Sequence, residues 1–231
     1  MARDFDGTND NLKTADNAVS GVNTDLKSYA YWIIRDSQPA AGQATIDLHT
    51  QASGTETVQI TTRPPTVSGF LIRLRQVGAT DGIWDTGDLP LNTLTHVAIT
   101  YDRSSSLNDP VIYIDGTSVT ITEVTATSTP TTGDDTLRLG ETAAGAGDLN
   151  GTLGFVTIDG GALWAAADVN RHRWWGCAPG GPSTVEVWYP LWTTNLAQKG
   201  TGGGDLTASG TTVVSLPRVE RCWGSMMGVG R

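Results

Sequence analysis

From His96 to Asp102 the chain reads HVAITYD. Val97, Ile99 and Tyr101 fall on one side of a two-residue period, and Ala98 and Thr100 on the other. Successive strand side chains point to opposite faces, so this alternation predicts a strand with one buried face. The signal recurs along the chain. Gly69 to Val77 places Phe70, Ile72 and Leu74 on one face and Arg73 and Arg75 on the other. Further strands are expected at Tyr29 to Arg35, Thr136 to Leu139, Leu149 to Ile158, Thr184 to Leu191 and Thr211 to Leu216. Val111 to Asp115 and Ser118 to Val124 flank Asp115-Gly116, a pair suited to the positive φ of a two-residue hairpin. The intervening loops (Thr125 to Asp135, Gly140 to Gly147, Cys177 to Ser183, Lys199 to Gly204) are rich in Gly, Pro and Thr and short enough to stay within one domain. Many short strands between such loops imply an all-β protein with two antiparallel sheets packed as a sandwich.

One short surface helix is expected over Ala162–Trp175. It carries Leu163, Ala165 to Ala167, Val169 and Trp174, and Gly176 suits the left-handed position past a helix end. Trp164 occupies the place where a capping Ser or Asp would help. A chain of 231 residues is long enough to bury a core without disulfide staples. Residues 1–221 read as one domain, and residues 222–231 as an apolar, Gly-rich C-terminal tail. Cys177 and Cys222 are expected to be separate thiols, although the sequence leaves their pairing open.

The formal net charge of −9 repels phosphate backbones and excludes nucleic acid as a partner. The longest apolar run, Tyr29 to Ile34, is far below the ~20 residues a membrane span needs, so membrane insertion is excluded. The N-terminus, Met-Ala-Arg-Asp-Phe-Asp, has no basic start followed by an apolar run. Synthesis in the cytoplasm without a signal peptide is therefore expected.

Catalytic patterns are missing. Glycan hydrolysis needs two carboxylates flanking the scissile bond. None of Glu56, Glu123, Glu141, Glu186 and Glu220 has an acidic residue two positions away. There is no Gly-x-Ser-x-Gly elbow, and nothing orients Cys177 against His172 as a nucleophile and base. His49, His96 and His172 are too scattered to suggest zinc. The glycine runs at Gly145 to Gly147 and Gly202 to Gly204 lack the rest of a phosphate loop. The expectation is a protein that is not an enzyme, with no catalytic, cofactor-binding or metal residues assigned.

The order of several segments resembles a known family. These are FDGTNDN (Phe5 to Asn11), THVAITYDRSSS (Thr95 to Ser106), VIYIDGT (Val111 to Thr117), LRLGE (Leu137 to Glu141), DLNGTLGFVTIDGGALWAAADVNRH (Asp148 to His172) and VEVWYPLWTTNLAQKGTGGGDLTASGTTVV (Val185 to Val214). Together they resemble the concanavalin A-like, laminin-G-type domains of bacteria and bacteriophages. The resemblance implies a jelly-roll sandwich. It also implies that His96 is structural, tied to the opposing sheet by a hydrogen bond. Trp164 departs from the family, which has a small or capping residue there, and suggests a contact outside the domain.

The function expected is that of a non-catalytic bacteriophage virion protein that decorates the capsid or tail. Its partners would be other virion proteins or copies of itself, with Cys222 to Arg231 docking. The alternative is a carbohydrate-binding or adhesion module for cell-surface glycans, calcium-dependent in one version, and glycan hydrolysis is a remote third. No ligand-binding residues are assigned. Trp84, in GIWDTGD, could face a ligand, whereas Trp32 and Trp188 belong in the core. Calcium candidates are Asp4 to Asn11, Asp81, Asp85 and Asp88, Asp134-Asp135, and Asp148 with Asn150. The spacing of DFDGTNDN fails for a helix-loop-helix calcium loop. It is better read as a strand ending at a buried Phe5, then an Asp6-Gly7 turn.

Overall fold

The structure is a computed structural model that describes residues 2–8, 10–14, 25–39, 45–52, 55–65, 67–128, 136–141, 148–175, 187–189, 206–209 and 211–214. In chain order the first strands are β1 (Ala2–Asp6), β2 (Asn11–Thr14), β3 (Leu26–Arg35), β4 (Thr45–Ala52), β5 (Thr55–Arg63), β6 (Leu71–Gln76) and β7 (Gly82–Asp85). Next come β8 (Thr95–Asp102), β9 (Val111–Ile114), β10 (Thr117–Ser118), β11 (Thr122–Thr125), β12 (Thr136–Leu139) and β13 (Asn150–Gly160). Helix α1 (Ala166–Trp175) precedes β14 (Val187–Tyr189), β15 (Leu206–Ser209) and β16 (Thr212–Val214).

These strands form two antiparallel sheets. The first runs β10-β9-β8-β3-β13-β1-β16, with β14 also paired to β13; the second runs β11-β7-β6-β5-β4-β12-β2-β15. In chain order, β1, β3, β8 to β10, β13, β14 and β16 lie in the first sheet and β2, β4 to β7, β11, β12 and β15 in the second, so the chain passes repeatedly from one sheet to the other. This is jelly-roll wiring, in agreement with the all-β sandwich expected.

The period-two pattern sets the core. Tyr29, Tyr31 and Ile33 of β3 and Val97, Ile99 and Tyr101 of β8 face Val58 and Ile60 of β5, Ile72 and Leu74 of β6 and Leu137 and Leu139 of β12. Burying each aliphatic side chain contributes about 1.5–3 kcal/mol relative to exposure. Phe5 joins this core, and the turn that follows it is as expected. Gly7 has φ +81°, and Asp6 Oδ1 accepts a hydrogen bond from the Thr8 N–H at 2.8 Å.

The Asp115-Gly116 turn also forms. Both residues have positive φ, +52° and +81°, as a type I′ hairpin requires. Its second strand is shorter than Ser118 to Val124, however. Thr117–Ser118 pairs with β9, and then Thr122–Thr125 crosses over to pair with β7 of the other sheet. The pattern did not reveal β4, β5, β7 and β15.

The helix begins four residues later than expected, at Ala166, and its start has a cap. Asp168 Oδ2 accepts a hydrogen bond from the Ala165 N–H at 3.1 Å, the half of a capping box in which the third helical residue reaches back. Trp164, just before the cap, packs with Val169 in one buried cluster with Ala30 and Ala98. This is a hydrophobic staple, and it fixes the angle at which the chain enters the helix. Trp164 is 3% exposed and donates from Nε1 to Asp159 Oδ2 at 2.7 Å. The expectation of a contact outside the domain is therefore corrected: the residue faces inward because the helix lies on its own sheet. Gly176 and both cysteines lie outside the described residues.

Candidate functional site

The outer face of the second sheet carries a set of oriented polar groups. It follows from alternation: Ile60, Ile72 and Leu74 point to the core, so Gln59 and Thr61 of β5 and Arg73 and Arg75 of β6 point away from it. The register places Arg73 opposite Asp85 on β7. The Arg73 guanidinium donates from Nε to Asp85 Oδ1 and from Nη2 to Oδ2, each at 2.5 Å. This two-pronged bond fixes the plane of the guanidinium. Arg75 donates from Nε to Asp81 Oδ2 at 2.8 Å and from Nη1 to Gln59 Oε1 at 2.9 Å. Asp81 is held in turn by the Gly78 N–H. The Arg73 and Arg75 side chains remain 19% and 32% exposed. The face thus presents two rigidly held guanidinium groups that are partly open to solvent, while Gln59 and Thr61 opposite them are buried. Such an array can exchange hydrogen bonds with a polyhydroxylated ligand. Both Asp85 oxygens are engaged by Arg73, so this carboxylate is built to position a guanidinium and not to transfer a proton.

Two candidate residues from the sequence fall elsewhere. Trp84 is 1% exposed and points into the core, where its ring meets Tyr101 edge-on at 5.2 Å and its Nε1 donates to Asp109 Oδ1. It is a packing anchor, and the expectation that it faces a ligand is corrected. Asp81 and Asp85 belong to the arginine array, and Asp88 Oδ2 accepts a hydrogen bond from the Val67 N–H. These three acids do not converge. Trp32 is buried as expected, but with Ala2 and Phe155 in a cluster apart from the main core. The side chain of Trp188 and residues Asp134 and Asp135 lie outside what is described.

The acidic opening stretch does meet a distant loop. Asp6 pairs with Asn150 across β1 and β13, and Asp10 Oδ2 accepts from the Asp6 N–H at 2.7 Å. Burial pushes the Asp10 carboxyl up, and Asp6, Asp4 and Asp148 add to this against the opposing hydrogen bond. Calcium wants six to eight oxygens. Among the described residues no three His, Cys, Asp or Glu side chains come together as metal ligands.

A second polar cluster lies beneath α1. His172 on the helix sets Nδ1 2.9 Å from His96 Nε2 of β8 and Nε2 2.9 Å from Thr157 Oγ1 of β13. His96 is therefore structural, as the resemblance implied, but it is tied to the helix and not to the opposing sheet. Both rings are fully buried. Burial lowers the His172 pKa to about 3, and burial and His172 hold His96 well below its ordinary value. With both rings neutral, the cluster docks the helix.

Sequence reasoning assigned no ligand-binding residue. The alternation of Arg73 and Arg75 was visible, but their anchors were not. Asp81 and Asp85 read as metal candidates, and Gln59 lies on a strand the pattern did not reveal.

The family model for the concanavalin A-like lectin/glucanase superfamily matches residues 6–167, and the chain belongs to that superfamily. No curated protein matches it by sequence. Several solved structures share its fold. A candidate carbohydrate-binding protein from Bacteroides ovatus is similar at 16% identity and a TM-score of 0.62, covering 94% of this chain and 60% of that one. A heptameric SAP-like pentraxin from Limulus polyphemus is similar at 13% identity and a TM-score of 0.54, covering 74% and 81%. Domain 4 of the extracellular arabinanase AbnA from Geobacillus stearothermophilus, solved with arabinotriose, is similar at 18% identity and a TM-score of 0.52, covering 73% and 74%.

Proposed function

Since the chain is a concanavalin A-like sandwich, we propose that it is a non-catalytic glycan-binding module whose ligand lies on the outer face of the second sheet. The carrying observation is the pre-set array of Arg73, Arg75, Gln59, Asp81 and Asp85, fixed by reciprocal bonds before any ligand arrives. Groups that need no ordering on binding lose little conformational entropy, which favours affinity. The similarity to a candidate carbohydrate-binding protein and to an arabinanase domain solved with arabinotriose supports this reading. A glycan array, run with and without calcium on the native chain and on Arg73→Gln, tests it. Binding that falls at least tenfold in the variant is expected. A blank array with both proteins would overturn the proposal.

A second reading, decoration of a phage capsid or tail, is supported by the apolar, Gly-rich segment Cys222 to Arg231, whose structure lies outside the described residues. Apolar surface that a domain leaves uncovered docks on partners or on further copies of the same chain. This role places the protein on the virion. Deleting Cys222 to Arg231 is expected to weaken incorporation into particles or oligomers while leaving the sandwich folded. Unchanged assembly would count against it.

A further inference from the structure

Alternation puts Tyr31 and Ile33 of β3 and Val97 of β8 in the core between the sheets, so Trp32 and His96 lie on the outer face of the first sheet. The register sets these two residues directly opposite each other, and their rings lie 5.1 Å apart at a tilt of 59°. Neither is open to solvent: Trp32 is 4% exposed and His96 is fully buried. Each nevertheless carries one buried ring nitrogen, Trp32 Nε1 and His96 Nδ1, that meets no hydrogen-bond partner among the described residues. Buried polar atoms in folded proteins are almost always hydrogen-bonded, to protein or to ordered water. Two such atoms on neighbouring rings ask for one explanation.

The bonds beneath α1 decide which atom donates and which accepts. An indole nitrogen only donates. The tautomer of a histidine has to be inferred from its partners. The His172 ring hydrogen-bonds to the backbone of Phe155, a bond that favours a ring proton, so a ring N–H is the donor and the carbonyl accepts. Phe155 lies in the register break of β13, where its backbone leaves the ladder with β3 and takes a φ of +52°. Thr157, also on β13, sets its Oγ1 2.9 Å from His172 Nε2. The nitrogen on the β13 side, Nε2, therefore carries the proton. Burial keeps both rings neutral. His172 Nδ1 is then a bare acceptor, and it receives its bond from His96 Nε2–H at 2.9 Å. That leaves His96 Nδ1 as a bare lone pair. The two atoms are thus complementary, one donor and one acceptor.

We propose that one buried water sits between Trp32 and His96, accepting from the indole N–H and donating to His96 Nδ1, and that it holds the histidine pair in a single tautomeric arrangement. A water fills both roles at once, and a polar site with at least two partners is what a buried water requires. Every bond in the completed chain runs one way, from Trp32 through the water, His96 and His172 to β13. The chain ties β3, β8, α1 and β13 together, so this water belongs to the seat of the helix and is independent of the glycan face.

The test is nuclear magnetic resonance on the isotope-labelled full chain at neutral pH. Long-range nitrogen–proton spectra read which nitrogen of each imidazole is protonated, and Nε2–H with a bare Nδ1 is expected for both rings. A through-space cross-peak between the Trp32 indole N–H and water, with the sign of a long-lived bound water, is expected as well. Trp32→Phe removes the donor and keeps an aromatic ring in place. The cross-peak should be lost, and His96 should show the averaged signals of a ring exchanging between tautomers. Trp164→Phe removes a different buried indole N–H, the one bonded to Asp159, and should leave the His96 signals unchanged. A proton on His96 Nδ1 in the native chain would overturn the chain of bonds. The expected tautomers without a water contact at Trp32 would assign the bridge to a protein group and overturn the water. A fixed His96 tautomer in folded Trp32→Phe would overturn the water's hold on the pair. The first two outcomes are read on the native chain, whether or not either variant folds.

Discussion

Lowering the pH should loosen the helix dock before it affects the rest of the sandwich. His172 titrates near 6.5 in an unfolded chain and is lowered to about 3 in the folded one, chiefly by burial. The unfolded state therefore takes up its proton first. The stability contribution is complete above about pH 6.5 and is lost as pH falls below it. With folded and unfolded values of about 3 and 6.5, moving from pH 7.5 to 5.0 costs about 2 kcal/mol from this residue alone, at 1.36 kcal/mol per unit. His96 is shifted in the same direction and adds to the loss. Asp10, Asp36 and Asp159 have raised values and act in the opposite sense, but only as pH enters the carboxylate range. Urea unfolding followed by Trp fluorescence at pH 7.5, 6.0 and 5.0 measures the effect. A fall of about 2 kcal/mol or more is expected, equivalent to a midpoint lower by about 4–8 °C. His172→Gln, which keeps a hydrogen-bonding side chain in place, should flatten the profile. A native stability that changes by less than about 0.5 kcal/mol between pH 7.5 and 5.0 would refute the reasoning.

Three substitutions probe the fold that presents the site. Trp164→Ala removes the staple on Val169 and the bond to Asp159, and should destabilise by about 3–5 kcal/mol in denaturant titrations. Asp168→Ala deletes the one side-chain cap on Ala165 seen among the described residues, and should cost about 1 kcal/mol by the same assay. Gly116→Ala forces a Cβ into a backbone with φ +81° and against Asn170 Oδ1. Its unfolding midpoint should fall by about 2–8 °C, for about 1–2 kcal/mol, and Asn170→Ala in the same chain should recover part of the loss.

The sandwich was legible wherever strand identity depends on local alternation. Val97, Ile99 and Tyr101 announce β8, and Asp115-Gly116 announces the hairpin of β9 and β10, because only close neighbours decide each feature. Strands β4 and β5 were harder to see. Their outward residues, such as Gln59 and Thr61, are polar and their inward apolar residues few, so the pattern stands out less from a Thr-rich loop. Trp84 misled for another reason. Its flanking Gly and Asp residues read as a rim loop, while its burial is decided by Tyr101 and by Asp109, 25 residues away. The staple of Trp164 on Val169 was present in the sequence as a five-residue spacing. It reads as a helix entry only if the first helical residue is placed at Ala166 and not at Ala162. The His96–His172 contact spans 76 residues and has no local signature. The candidate site was half legible. The outward arginines could be read from period two, but the acids that orient them came into register only through sheet pairing.

The account stands or falls on where a glycan touches the protein. Amide chemical-shift mapping during titration with an array-positive oligosaccharide measures this directly. The account predicts the largest shifts at Gln59, Thr61, Arg73, Arg75 and Asp85, with Asp6, Asp148 and Asn150 unchanged. Shifts confined to the Asp6, Asp148 and Asn150 rim, with the arginine face silent, would contradict it.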